Sequence, residues 1–256
     1  MSLICICKIT ENRKLSESLF SISFTCPEIS RSAHAGQFVS VRCGDERILR
    51  RPLSICKNID DSVTLVYEVK GEGTKWLSNR VTGDKLDVFG PLGKGYTIPN
   101  GNIFVVGGGI GVPPLLYAAM SARGDVSAIL GFRSRDKVIL ENKFKLVCNT
   151  VLVATDDGSY GVHGSVIDPL RSELSNNKYA AVLACGPKVM LKAVADLCSQ
   201  YDTLCQMSLE ERMGCGVGAC MVCACATISD DGVSTMSRVC KDGPVFPAQR
   251  IAWVSK

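Results

Sequence analysis

Between Gly214 and Ala226 the chain reads GCGVGACMVCACA, with four cysteines inside eleven residues. So dense a run of thiols restricts that segment to a metal centre, disulfides or tightly packed small residues. The spacing from Cys215 to Cys220 to Cys223 is C-x4-C-x2-C, the run used by plant-type [2Fe–2S] sites, whose last thiolate comes from a distant segment. Downstream, Cys240 is the candidate for that thiolate. On an extended chain Cys225 points the same way as Cys223 but lies about 6–7 Å further along, so spacing leaves it a bystander. Gly214, Gly216, Gly218 and Ala219 suit a tight loop, because small residues let backbone N–H groups approach sulfur. Zinc is the main rival, since C-x2-C also suits tetrahedral sites. A zinc site more often pairs that motif with a second C-x2-C, and the sequence has none.

The chain holds 14 cysteines in 256 residues, a number that disulfides could also explain. Its N-terminus, MSLICICKITENRK, is charged by Lys8 and has no apolar segment long enough for a signal peptide. The expectation is therefore a cytoplasmic protein with reduced thiols, in which clustered cysteines serve metal or redox chemistry. The nine cysteines outside the C-terminal cluster read as small buried apolar residues. A net charge of +4 is too mild to imply nucleic acid, and the densest basic run, RILRR at 47–51, is short and interleaved with apolar residues. The uncharged run Ile103–Met120 approaches membrane-span length, but three successive glycines and a Pro-Pro pair divide it, so no membrane span is expected.

Length allows about two ordinary domains or three small ones. Up to Ile98, short segments such as LFSISFTC, QFVSVRC, SVTLVYEV and DKLDVFG alternate with polar turns, the pattern of an antiparallel barrel or sandwich. Thr74–Val81 reads as a short helix within it. Strands NIFVV, VSAILGF, TVLVATD and YAAVLAC then alternate with helix-like segments, which predicts a parallel sheet covered on both faces. KVILENKFK reads as a short helix and VMLKAVADLCSQY as an amphipathic one. After about Met207 small residues and cysteine dominate. The expected fold is thus multidomain: a β-barrel over 1–98, an α/β domain over 99–206 and a small cysteine domain over 207–256.

Three further segments carry chemistry. RRPLSI at Arg50–Ile55 precedes YEVKGEGT at Tyr67–Thr74, where a glycine turn opening a helix offers free N–H groups to a phosphate. GGGIGVPPLL at Gly107–Leu116 lies between a strand and a helix. It fails G-x-G-x-x-G, because Val112 stands where the third glycine belongs. A glycine loop at the end of a parallel strand still marks the nucleotide crevice of such sheets. GFR at Gly131–Arg133 and CGP at Cys185–Pro187 should end strands on the same side. His34 and His163 stand apart without a nucleophile partner, and polar structural roles suit both.

In order, these motifs resemble the ferredoxin–NADP reductase superfamily. More narrowly, ERMGCGVGACMVC with the later VCKDGPVF resembles the electron-transfer subunits of class 1B dihydroorotate dehydrogenases. The resemblance implies FAD on the barrel, NAD(H) on the α/β domain and a [2Fe–2S] cluster at the C-terminus. It implies that Arg51, Pro52, Leu53 and Ser54 line the flavin, with Arg51 near phosphate and Ser54 near the reactive ring. Val66, Tyr67 and Glu68 would lie along the cofactor, and Gly73 and Thr74 at its pyrophosphate. Gly107, Gly108, Gly109, Gly111, Gly131, Arg133, Cys185, Gly186 and Pro187 would hold the nicotinamide nucleotide, with Ser54 and Cys185 as catalytic positions. Cys215, Cys220, Cys223 and Cys240 would be the cluster ligands, in agreement with spacing. Two departures stand out: Glu68 occupies a position often basic in such proteins, where Lys70 could substitute, and the common Pro-Gly-Gln-Phe turn is Ala35-Gly36-Gln37-Phe38.

Nicotinamide gives up two electrons as hydride, whereas an iron–sulfur cluster takes one at a time, so a flavin must stand between them. With all three regions so assigned, no stretch remains for an organic substrate, and the reaction finishes or begins in another polypeptide. The resemblance implies an FMN-containing catalytic subunit that oxidises dihydroorotate in pyrimidine (UMP) synthesis, as a heterotetramer of two of each chain. The alternatives keep the cofactors and change the partner, to a sulfide dehydrogenase, a bifurcating transhydrogenase or a hydrogenase. Some of these use an aspartate as first cluster ligand, where this chain has Cys215. A redox-sensing flavin module is a further alternative, although nothing resembles an output domain. Arg133 and Arg135 stand where a 2′-phosphate could be met, while the resemblance favours NADH.

Overall fold

Residues alternate between core and solvent along the first strands, and that period-two pattern closes them into a barrel. The structure is a computed structural model describing residues 2–46 and 48–253. Arg47, in the basic run noted above, lies outside the described residues. The barrel strands are β1 (Leu3–Lys14), β2 (Leu19–Thr25), β3 (Phe38–Val41), β4 (Arg51–Ile59), β5 (Ser62–Glu68) and β6 (Lys85–Leu92). They run in the order β1-β2-β5-β4-β3-β6, and β6 closes antiparallel on β1. Along β5, Val63, Leu65 and Tyr67 join the barrel core, while Val66 packs instead with the nucleotide-domain residues. Ile9, Ile22, Phe24 and Leu86 are fully buried in that core, each contributing about 1.5–3 kcal/mol relative to exposure. Helix α1 (Pro27–Ser32) follows β2, and α2 (Glu72–Ser78) follows β5. The second was expected at Thr74–Val81; it starts earlier because Thr74 caps the turn at Gly71.

The parallel sheet is wider than the four strands read from the sequence. It contains β7 (Ile103–Gly108), β8 (Val126–Phe132), β9 (Thr150–Thr155), β10 (Val162–His163), β11 (Ala181–Cys185) and β12 (Cys205–Ser208). Helices α3 (Val112–Met120), α4 (Glu141–Phe144), α5 (Ile167–Asn176) and α6 (Lys188–Gln200) connect them. The sheet order is β10-β9-β8-β7-β11-β12, with a last short strand, β15 (Val245–Pro247), beyond β12. The chain winds outward from β7 through β8 and β9, then returns to the other side of β7 with β11. A topological switch point therefore lies between the C-terminal ends of β7 and β11, where such sheets open a crevice.

Residues after 208 form a hairpin of β13 (Ala224–Ile228) and β14 (Ser234–Arg238), then β15 (Val245–Pro247). β15 pairs antiparallel with β12, Met207 opposite Phe246. The cysteine-rich segment thus supplies the sheet's last strand. Among the described residues no helix is long and apolar enough to cross a membrane.

Candidate functional site

Positive φ at Gly216 (+74°) and Gly218 (+85°) turns the backbone inward between Cys215 and Cys220. Cys215 Sγ accepts the N–H groups of Val217 at 3.4 Å, Ala219 at 3.2 Å and Cys220 at 3.4 Å. Cys220 Sγ accepts the N–H of Cys215, and Cys223 Sγ that of Cys240, both at 3.4 Å. Desolvation opposes ionisation of Cys215, yet the donated N–H groups outweigh it and bring its thiol down to about 6. Burial and the adjoining Cys223 push Cys240 up to about 12. Amides aimed at sulfur suit thiolates, and two thiols packed together lose both protons only around a positive centre. The loop therefore fits an iron–sulfur cluster. Arg238 braces it, donating from Nη1 to Gly218 O at 3.2 Å and from Nε to Asp242 Oδ2 at 3.0 Å. Cys225 sits on β13 opposite Ser237, and desolvation pushes its thiol up to about 11.

The loop leans on the barrel. A Cβ on Gly216 would lie 3.6 Å from Leu92 Cδ1 and 3.7 Å from Ser40 Oγ. Cys223, Val239 and Cys240 share one apolar cluster with Phe38 and Leu92. Beside that contact is a groove of about 240 Å³. Pro52, Leu53 and Ser54 form its barrel wall, Met213 and Pro244 its C-terminal wall, and Ile110 and Pro114 close it from the sheet domain. Arg51 starts β4, and its guanidinium covers Gly73, where an added Cβ would lie 2.5 Å from Nε. The missing Cβ leaves a cradle of backbone beside a cation, which fits a phosphate.

Some sequence-predicted residues sit differently from expectation. Val66 and Glu68 line the groove, but Glu68 pairs with Lys70 at 2.9 Å, which offsets its charge there. Tyr67 borders the groove, yet its ring packs in the barrel core against Phe20 at 6.0 Å. The Thr74 hydroxyl accepts the N–H of Lys70 at 3.0 Å and donates to Gly71 O at 3.0 Å, so it shapes the turn.

A second cavity, about 600 Å³, opens at the switch point. Gly108, Gly109 and Gly111 form one lip and Gly186 and Pro187 the other, with Gly131 and Arg133 at the end of β8. Gly109, at φ +54° with open space beyond it, makes the turn. Gly107 lies beneath, where a Cβ would meet Val112 at 2.7 Å. Cys185 is buried in the apolar layer at the end of β11, with its thiol beside Ser208 and Glu210, which line the groove. Arg135 is drawn over the Tyr160 ring at 5.6 Å. Glu68, Lys70, Ile110 and Glu210 border both cavities, so groove and crevice are continuous. Asp156, Lys137, Met190, Met213 and Glu210 also line the cavities, and no motif in the sequence marks them. They are dispersed single residues, and the fold alone brings them to the cavities.

Residues 210–252 match the family described as the iron-sulfur cluster binding domain of dihydroorotate dehydrogenase B. The "dihydroorotate dehydrogenase B (NAD(+)), electron transfer subunit" of Desulforamulus reducens is 36% identical over 262 residues, covering 99% of this chain and 100% of that one. Its namesake from Caldanaerobacter subterraneus subsp. tengcongensis is 39% identical, covering 95% and 96%. This chain belongs to the family of dihydroorotate dehydrogenase B electron transfer subunits. Within that family's frame the fold is shared more widely. A solved NADH-dependent reduced ferredoxin-NADP oxidoreductase, described for flavin-based electron bifurcation, matches with a TM-score of 0.86 at 31% identity, covering 97% of this chain and 90% of that one. A ferredoxin NADP+ reductase from Neisseria gonorrhoeae with bound FAD and NADP shares the fold, with a TM-score of 0.64 at 15% identity over 77% of this chain and 91% of that one.

Proposed function

We infer that this chain passes electrons between the catalytic subunit of a dihydroorotate dehydrogenase and NAD⁺, through a [2Fe–2S] cluster and FAD. The observation that carries this reading is the continuity of the three sites: thiol loop against groove, groove open to crevice. Bound flavin supplies the conversion between hydride at the nicotinamide and single electrons at the cluster. The chain's own residues orient and enclose. Arg51 and the Gly73 backbone hold phosphate; Pro52–Ser54, Met213 and Pro244 wall the ring; the Gly108–Gly111 and Gly186–Pro187 lips hold the nucleotide. Ser54 stands at the groove with a hydroxyl able to donate to a ring nitrogen. Cys215, Cys220, Cys223 and Cys240 are the cluster ligands, with the amides of Val217 and Ala219 favouring negative sulfur.

Our reading places the partner as an FMN-containing chain, two of each in the complex, serving pyrimidine synthesis in the cytoplasm. The boundaries 1–98, 99–206 and 207–256 describe its three working parts, with β15 returned to the sheet. A bifurcating-type partner is the second reading, favoured by the 0.86 TM-score likeness; the 36% and 39% identical subunits and a cysteine at position 215 favour the first. Anaerobic purification tests both. Flavin and iron–sulfur absorbance, bleaching by NADH and a co-purifying dihydroorotate-oxidising chain are expected. A colourless protein, or one that co-purifies with a different oxidoreductase, would overturn the assignment.

A further inference from the structure

Three of the cysteines that read as packing residues converge at one place in the barrel. Cys5 and Cys7, two residues apart on β1, face the same side, Cys7 buried and Cys5 half-buried. Cys26 is buried at the N-cap of α1, and Glu28 lies in the first turn of that helix. Cys26 lies beside Cys5 and Cys7, and its Sγ donates to Glu28 Oε2 at 3.6 Å. The ligand atoms of Cys5, Cys26 and Glu28 all lie within 4.8 Å of one another. None of the three thiols is in a disulfide.

We propose that Cys5, Cys26 and Glu28 form a second metal site, separate from the cluster loop, that takes a thiophilic divalent cation of the zinc class.

The donor chemistry selects the ion: two thiolates with one carboxylate suit borderline-soft zinc, whereas magnesium and calcium demand oxygen alone. The spacing agrees. Tetrahedral zinc with Zn–S of about 2.3 Å and Zn–O of about 2.1 Å separates sulfur from oxygen by about 3.6 Å and two sulfurs by about 3.8 Å. The Cys26–Glu28 edge already has the first of these lengths, at 3.6 Å. The other edges, within 4.8 Å, need a closing movement of about 1 Å, within the reach of a χ1 adjustment. Cys7, buried in the same core as Cys26, walls the site from the barrel side. Packing alone would explain one buried cysteine, but not a carboxylate turned onto a thiol. Arg31, three residues further along, pairs with Asp61 at 3.8 Å.

The site is distinct from the cluster loop. Cys7 and Cys26 belong to the barrel core, whereas Cys223 and Cys240 share the layer around Phe38 and Leu92. An ion there would tie α1 to β1, and because only the folded chain assembles the three ligands, binding would raise stability.

The test uses flavin- and cluster-loaded protein, with iron and labile sulfide assayed throughout, titrated anaerobically with zinc sulfate against a chromophoric chelator. One zinc per chain beyond the cluster metal is expected. It should be lost in a Cys5→Ser/Cys26→Ser double variant. Glu28→Gln should weaken it by about tenfold or more, because losing only an outer partner already costs about 10–100-fold. Glu28 is exposed, so its variant remains informative if the buried cysteine substitutions impair folding. Cobalt(II) in place of zinc should give a sulfur-to-cobalt charge-transfer band that weakens in Glu28→Gln. The proposal is overturned if the loaded protein takes up no zinc. It is overturned equally if Glu28→Gln binds zinc as the parent does, which would leave a thiol–carboxylate hydrogen bond only.

Discussion

The contact between Gly73 and Arg51 offers a perturbation whose effects on folding and on flavin binding have opposite signs. A Cβ built on Gly73 would stand 2.5 Å from Arg51 Nε, 3.0 Å from Cζ and 3.1 Å from Nη2. Unstrained contact needs about 3.5 Å, so Gly73→Ala displaces the guanidinium by about 1 Å. Gly73 lies within α2 and has no positive φ, so alanine there should leave the apoprotein unchanged or stabilise it by about 0.4–1 kcal/mol. The displaced guanidinium loses a charge-assisted bond to phosphate, worth about 1.5–3 kcal/mol. FAD should then bind about 10- to 140-fold more weakly. Titrating deflavinated protein by quenching of FAD fluorescence measures the loss, and thermal unfolding of the same apoprotein measures the other sign. In an Arg51→Ala background Gly73→Ala should add less than about 0.5 kcal/mol, because the two act through one contact. Unchanged FAD affinity would refute the cradle. A loss of affinity that persists undiminished in the Arg51→Ala background would show that the glycine acts through something other than this arginine.

The other predictions concern the thiol loop. Cys240→Ser should lose iron and labile sulfide, while Cys225→Ser, altered on the β13 strand, should retain both; equal iron content in the two variants would contradict the ligand set. Gly218→Ala should cost about 1–2 kcal/mol for a left-handed backbone, and its Cβ would also meet Lys241 at 2.6 Å. Faster bleaching of the iron–sulfur absorbance in chelator would report that cost. In cluster-free protein, alkylation of Cys215 by iodoacetamide should rise through about pH 6, against the ordinary value of 9.0, while Cys225 at about 11 stays unreactive at neutral pH. Because the folded value is depressed, the Cys215 contribution to apoprotein stability is full above pH 9 and lost as pH falls through 6. Mass-spectrometric labelling with a midpoint near 9 would show that the amide donors do not act on this sulfur.

Much of the fold was legible because it depends on local period. The alternation in SVTLVYE and the buried run IFVV specify strands wherever they pack. Helix α5 was not legible: IDPLRSELSN opens with Asp-Pro, a turn signal, and buries only Leu170 and Leu174. β15, three residues long, carries no period at all and exists because β12 offers an edge. The tight cysteine loop was legible because the separation of residues within one short loop is fixed by sequence distance. What sequence could not show was direction. Nothing in YEVKGEGT reveals that Tyr67 turns into the barrel while Glu68 turns out to meet Lys70, or that Thr74 bonds back to Gly71. Nor does C-I-C reveal the distant Cys26, since only the closure of β1 beside α1 brings them together.

The return of the C-terminal segment to the sheet bears on how electrons can pass. Transfer between two fixed centres depends on their separation, which a tethered third domain would leave free to vary. Here the thiol loop passes close to Ser40 and Leu92, on β3 and β6, and Cys223 and Cys240 share an apolar cluster with Leu92. The same segment then pairs β15 with β12 and places Pro244 in the groove wall. Lys94, just after the barrel, hydrogen-bonds Gly243 O at 2.6 Å, and Leu209 does the same to Pro244 O at 2.9 Å. The residues just after β6 and β12 therefore hold one short stretch, 243–247, between them. Because Pro244 in the groove wall and Cys240, the fourth ligand on our proposal, both border that stretch, a shift of the sheet against the barrel would move thiol loop, groove and crevice together.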